Sequence, residues 1–225
     1  MANNATLTLR VLARLLSYPD AELRAHLDEL QAALRSERAL GDARSAELEA
    51  LMRNLAGRDP IEVEADYVQL FDRGRSTSLH LFEHVHGDSR DRGPAMIDLA
   101  QTYEKAGLYL AEGELPDYLP VVLEFVSTQP AKEARAFLGE MAHILQAIFS
   151  ALLKRESPYA SVLGALLDVA GERAQAVKVA EEPPLDDSWE EPLAFDGCST
   201  AGQARPGQPQ PVRIVRNAAK AAQGV

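Results

Sequence analysis

The sequence predicts an all-α fold, a single-domain helical bundle over residues 1–180. Three observations carry it: apolar residues recur every three or four positions nearly throughout, proline and glycine punctuate those runs, and no alternating strand-like run bounded by hairpin turns interrupts them. Leu7, Val11 and Leu15 mark a first amphipathic helix, which "YPD" at 18–20 separates from a second carrying Leu23, Leu27, Leu30 and Leu34. Leu48, Leu51, Met52 and Leu55 mark a third, and "GRDP" at 57–60 separates it from the next. "RGP" at 92–94 opens another helix, with Pro94 suited to its first turn, where the missing N–H costs nothing. The longest clean pattern, Phe137, Met141, Ile144, Leu145, Ile148, Phe149 and Leu152, is expected at the centre of the bundle.

Composition changes near residue 181. Six of the chain's thirteen prolines follow that point, and an acidic block from Glu181 to Asp196, with seven acids and no base, precedes a segment with four bases and no acid. So few apolar residues cannot offset the entropy of ordering, so residues 181–225 read as a flexible acidic and proline-rich tail. Trp189 is the exception within it, expected either to pack back on the body or to act as a short docking motif.

The balance of 46% hydrophobic and 25% charged residues is ordinary for a globular chain of 225. A formal net charge of −11 disfavours nucleic acid and anionic membrane surfaces and favours a basic or neutral partner. The longest run without a formal charge, Met141 to Leu153, is thirteen residues, short of the roughly 20 that a membrane span needs. Arg10 and Arg14 interrupt the apolar N-terminus, which lacks the order of a secretory signal, so a soluble cytoplasmic protein is expected. A lone cysteine, Cys198, forms no internal disulfide and no metal site by itself.

The chemistry-bearing stretch is "SLHLFEHVHGDSRDRG", residues 78–93, which places His80, His84 and His86 beside Glu83 and Asp88. His80 and His84 have the i, i+4 spacing of helical metal ligands, and with Glu83 and His86 they define one reading, a metal-dependent hydrolase. Against it, His86 lies two residues past His84 and points elsewhere on a continuing helix. An acid/base reading pairs a carboxylate with His84 or His86, but no nucleophile elbow, phosphate loop or dinucleotide motif completes an active site. The third reading is a rigid polar loop: His84 and His86 make local hydrogen bonds, the alternating charges from Asp88 to Arg92 neutralise one another, and Gly87 and Gly93 permit turns at both ends.

"YVQLFDRGRSTSLHLFEHVHGDSRDRGPAMIDL" and "ELPDYLPVVLEFVS" closely resemble the NarJ family, the assembly chaperones of respiratory nitrate reductase. The likeness is densest over 67–99 and 115–127, extends loosely from about Leu9 to Ala180, and touches "WEEPLAF" in the tail. It implies an all-helical fold of the redox-enzyme maturation type, no enzymatic activity and no cofactor of its own. The partner it implies is the N-terminal segment of the catalytic molybdenum subunit, kept open for insertion of the molybdenum cofactor and an iron–sulfur cluster before docking to the membrane anchor. In the family pattern Glu83, His84, His86 and Gly87 match typical residues, whereas the position of His80 is apolar in some members and Tyr118 stands where histidine is common. An alternative within the class is a guardian of twin-arginine signal peptides for another molybdoenzyme, whose relatives carry a Pro-Trp motif in place of "LFEHVHGDSRDRG".

An apolar helical peptide docks by laying one face into a groove. The expected groove residues are Tyr67, Leu70, Phe71, Leu81, Phe82, Leu119, Val122, Leu123 and Phe125, with Glu83, His84 and His86 from the loop. Asp117, after Pro116, is expected to cap a helix and to meet a basic group on the peptide. Asp72, Arg73 and Arg75 are expected to pair with the Asp88–Arg92 run, in which Arg90, Asp91 and Arg92 complete the partner surface.

Overall fold

The structure is a computed structural model that describes residues 5–87 and 89–177. The expected tail, with Trp189 and Cys198, lies outside the described residues, as does Asp88. Eleven α-helices run through the described chain: α1 Thr6–Leu16, α2 Ala21–Ala25, α3 Leu27–Glu37, α4 Asp42–Gly57, α5 Pro60–Tyr67, α6 Leu81–Val85, α7 Arg92–Lys105, α8 Leu119–Thr128, α9 Ala131–Glu140, α10 Ala142–Lys154 and α11 Ala160–Ala170. Among the described residues the only extended pairing is an isolated antiparallel bridge between His80 and Tyr118. The all-α expectation holds.

Local chemistry sets the helix starts. Asp20 of "YPD" accepts a hydrogen bond from Leu23 N at 2.8 Å and so caps α2. Asp59 accepts from Ile61 N at 2.9 Å, with Pro60 at the first helical position of α5. At the other end of the chain α11 stops at Gly171, whose φ of +83° is the left-handed conformation that glycine adopts without a Cβ penalty.

The core is assembled around α11 and α1. Nine of the eleven residues of α11 are buried, so this helix, rather than the Phe137–Leu152 stretch, lies at the centre. It packs on α10, α9, α4 and α1, while α1 lies along α8. Each fully buried leucine, among them Leu12, Leu15, Leu16, Leu163, Leu166 and Leu167, contributes about 1.5–3 kcal/mol of transfer free energy.

The Phe137–Leu152 pattern belongs to two helices, not one: α9 and α10 meet at a 65° bend. At the junction the Met141 carbonyl accepts from both Ile144 N (2.9 Å) and Leu145 N (3.1 Å), which starts a new helix. Phe137 faces Phe125 of α8 edge-on at 5.6 Å, whereas Ile144, Leu145, Ile148 and Leu152 are buried. Among the described residues no single helix is long and apolar enough to cross a membrane; α9 and α10 reach that length only together, across their bend.

Between α5 and α6 the chain leaves regular geometry. Residues Val68–Asp72 form a π-helical turn, closed by Arg73 N donating to Val68 O at 3.2 Å. Thr77 hydroxyl donates to the Leu70 carbonyl at the turn, and Gly74 sits so close that a Cβ there would meet Leu70 O at 2.6 Å. Tyr67, at the end of α5, and Phe71, within the turn, share a cleft with Gly113, Glu114, Leu115 and Tyr118.

Candidate functional site

The two motif segments are stapled to each other. Leu119 N donates to Leu79 O at 2.8 Å and Leu81 N donates to Asp117 O at 3.0 Å, which brackets the His80–Tyr118 bridge. The Asp117 carboxylate is fully buried, and it accepts from Phe82 N at 3.1 Å. It therefore caps α6 across the chain, not the helix that follows it in sequence. His80 Nδ1 stands 3.4 Å from the same carboxylate and Arg92 Nη2 at 3.8 Å; Arg92 also reaches Glu83 at 3.5 Å. The basic groups that meet Asp117 are thus from its own chain, because a carboxylate buried this completely needs its partners folded in.

Each of the three loop histidines has a partner within the chain. The hydrogen bond to Asp117 raises the pKa of His80, opposed by partial burial. His80 precedes α6, so His80 and His84 are not a helical i, i+4 pair. His84 donates from Nε2 to the Ser78 carbonyl at 2.9 Å, and the His86 ring meets Phe82 edge-on at 5.4 Å. Among the described residues no three His, Cys, Asp or Glu side chains converge as metal ligands. Gly87 turns the chain with φ +51°, but Gly93 lies inside α7 and makes no turn.

Beside the staple lies an aromatic cleft of about 450 Å³, walled by Tyr18, Tyr67, Phe71, Leu79, His80, Leu115 and Tyr118, with Asp72 and Glu114 among its lining residues. Tyr67 donates its hydroxyl to Leu16 O at 2.7 Å, so Tyr118, 3.2 Å away, donates to Tyr67. Burial drives the Tyr67 pKa far up, which keeps that hydroxyl a donor. Tyr67 packs on Phe71 at 4.8 Å and on Tyr159 at 6.1 Å, and Tyr18 caps it edge-on at 5.6 Å. These rings hold a pre-formed apolar wall, which suits binding without reorganisation.

The expected site residues divide by burial. Tyr67, Phe71 and Asp72 line the cleft. Leu81 of α6 and Leu119, Val122, Leu123 and Phe125 of α8 are buried among the core residues rather than facing an open groove, α8 being packed between α1 and α9. Phe82, Glu83, His84, His86 and Arg92 are half-buried along the loop; Arg75, Arg90 and Asp91 are exposed. Of the residues expected to pair across the loop, Asp72, Arg73 and Arg75 with the 88–92 run, Asp88 lies outside the described residues; Arg73 reaches Gln69 at 3.5 Å, Asp91 accepts from Ser89, and Arg92 turns inward to Glu83 and Asp117. Tyr18, Leu79, Glu114 and Leu115 are cleft residues that the motifs did not single out. Only the aromatic character of Tyr18 in a turn hinted at it.

The family described as nitrate reductase delta subunit matches residues 17–163, a span that contains both stapled segments and the whole cleft. The chain belongs to the nitrate reductase delta subunit family. It is 43% identical over 215 residues to the nitrate reductase molybdenum cofactor assembly chaperone NarJ of Escherichia coli (strain K12), covering 88% of this chain and 91% of that one. Its counterpart NarJ in Bacillus subtilis (strain 168) is 34% identical over 162 residues, 72% of this chain and 86% of the relative. A solved structure described as a redox enzyme maturation protein from Archaeoglobus fulgidus shares the fold with a TM-score of 0.52 at 22% identity, covering 74% of this chain and 94% of that one. Both of these NarJ relatives are named as assembly chaperones.

Proposed function

We propose that this protein is a cytoplasmic, system-specific assembly chaperone for respiratory nitrate reductase. It binds the N-terminal segment of the catalytic molybdenum subunit and keeps that subunit open for insertion of the molybdenum cofactor and an iron–sulfur cluster before it docks at the membrane. The observation that carries this reading is 43% identity to a NarJ chaperone across 88% of the chain. The cofactor and the cluster are cargo of the client, and the chaperone acts through peptide contacts.

The aromatic cleft supports the peptide part of the proposal. A client helix lays apolar side chains against Tyr67 and Phe71, while Asp72 and Glu114 attract its basic groups. The loop bearing Phe82, Glu83, His86, Arg90 and Asp91 provides the adjoining polar surface, and the Asp117 staple with Arg92, His84 and the core leucines Leu81, Leu119 and Leu123 holds it in register. Surface ion pairs there contribute under about 1 kcal/mol each, so they discriminate between clients more than they stabilise the fold.

The proposal is tested by complementation. In a strain that lacks its own NarJ, expression of this chain is expected to restore molybdenum-loaded, membrane-bound nitrate reductase. Reductase that stays cofactor-free despite ample chaperone would refute the assignment.

A further inference from the structure

The π-helical turn lines two cavities with different residues: Phe71 and Asp72 face the aromatic cleft, and Gln69 and Leu70 face a second cavity of about 310 Å³. The other walls of the second cavity are Asn54 and Leu55 near the end of α4, Val63 and Asp66 of α5, and the loop from Arg155 to Tyr159 that joins α10 to α11. Its volume is at the lower end of the range that holds small ligands.

Tyr159 forms part of this wall and is only 6% exposed, yet its hydroxyl is buried and finds no hydrogen-bond partner among the described residues. Such a group is rare in a native chain and calls for a reason. Packing does not supply one. The ring meets Tyr67 edge-on at 6.1 Å and Phe71 edge-on at 5.1 Å, contacts that a phenylalanine would make equally well. Burial first, and the charge of Asp66 after it, push the hydroxyl pKa far up, so it stays protonated and offers a donor.

The lining around that donor is balanced in charge. Arg58 and Arg155 stand against Asp66 and Glu156, and Arg58 is already held by Asp66 at 2.8 Å. An ion of either sign therefore gains little from the cavity. Asn54 and Gln69 carry amide groups that both donate and accept, while Leu55, Val63, Leu70 and Pro158 are apolar.

We infer that this cavity is a binding site for a small uncharged amide, whose carbonyl oxygen accepts from the Tyr159 hydroxyl while its N–H groups donate to Asp66 or to the Gln69 amide oxygen. The apolar part of the ligand lies against Leu55, Val63 and Leu70. An amide fits because it presents an acceptor and a donor on one edge and carries no net charge. The site goes beyond the proposed function and needs no client. Tyr159 packs behind Tyr67 and Phe71, so the ligand is separated from the aromatic cleft by the rings that wall it.

The test titrates the full chain with benzamide, benzoate and toluene, three probes of one size, read by the backbone amide shifts of Gln69, Leu70 and Tyr159 in nitrogen–proton spectra. Benzamide is expected to saturate these shifts in the millimolar range usual for so small a ligand, with benzoate and toluene at least about tenfold weaker. Tyr159→Phe is expected to weaken benzamide about tenfold, the loss of one hydrogen bond, and to melt no lower than the unaltered chain, because no internal bond is lost. Benzoate binding as tightly as benzamide would assign an anion site to the arginines, and toluene binding as tightly would leave an apolar hollow; either overturns the inference. So does the failure of benzamide to saturate, or benzamide binding by Tyr159→Phe within twofold of the unaltered chain. A clearly lower melting temperature for Tyr159→Phe would show that the hydroxyl is already satisfied by a bound water, and would overturn it as well. None of these results bears on the chaperone assignment.

Discussion

Asp117 is the residue on which the site turns, since one buried carboxylate caps α6 through Phe82 N and gathers His80 and Arg92. Removing it leaves a helix terminus and two cations without their partner, so Asp117→Ala is expected to cost about 3 kcal/mol in urea denaturation, and Asp117→Asn less because an acceptor for Phe82 N survives. His80 adds a pH signature. A histidine whose pKa is raised on folding contributes stability in full below its unfolded value of about 6.5, and that contribution fades as pH climbs through the raised folded value. The stability margin of the unaltered chain over His80→Gln should therefore be widest near about pH 5.5 and shrink by about pH 8. A margin that is flat across that range would show that the bond to Asp117 does not favour the charged imidazole.

At the scale of elements, the helices were legible and the junctions were not. Periodic leucines and the punctuation at Asp20 and Asp59 are local signals, which is why α1 and α4 could be placed from spacing, whereas the single helix expected over Leu23–Leu34 breaks at His26 into α2 and α3. The bend between α9 and α10 could not, because Phe137, Met141 and Ile144 keep helical spacing through it and no proline marks it. The π-helical turn was equally hidden, since its cause is a tertiary one: Thr77 returns to bond the Leu70 carbonyl over a glycine that leaves room for it. Gly74→Ala places a Cβ 2.6 Å from Leu70 O and 2.8 Å from Arg155 Nη1, with Thr77 Oγ1 closer still. A clash with backbone of this kind is expected to cost about 2 kcal/mol, or a melting temperature lower by about 4–8 °C. An unchanged melting temperature would mean that the turn yields freely.

For the whole molecule, the sequence pointed to the family and to the two segments, while their meeting was a long-range event. Asp117 is joined to the His80 ring and to Phe82 N by hydrogen bonds across the chain, and no local pattern reveals that a loop rich in histidine is stapled to so distant a segment. Five of the nine expected apolar groove residues proved to be core away from the cleft for a similar reason: an apolar residue on a helix does not disclose whether its face meets a neighbour or a client. The aromatic cleft with its acidic lining residues is one of several depressions among the described residues, and the proposed function assigns it to the client peptide. The most direct measurement is a calorimetric titration of the full, metal-stripped chain with a synthetic peptide from the N-terminus of the nitrate reductase catalytic subunit. Saturable binding without added metal is the predicted result; binding that appears only when zinc or iron is supplied would contradict the account and return the histidine loop to the role of a metal site.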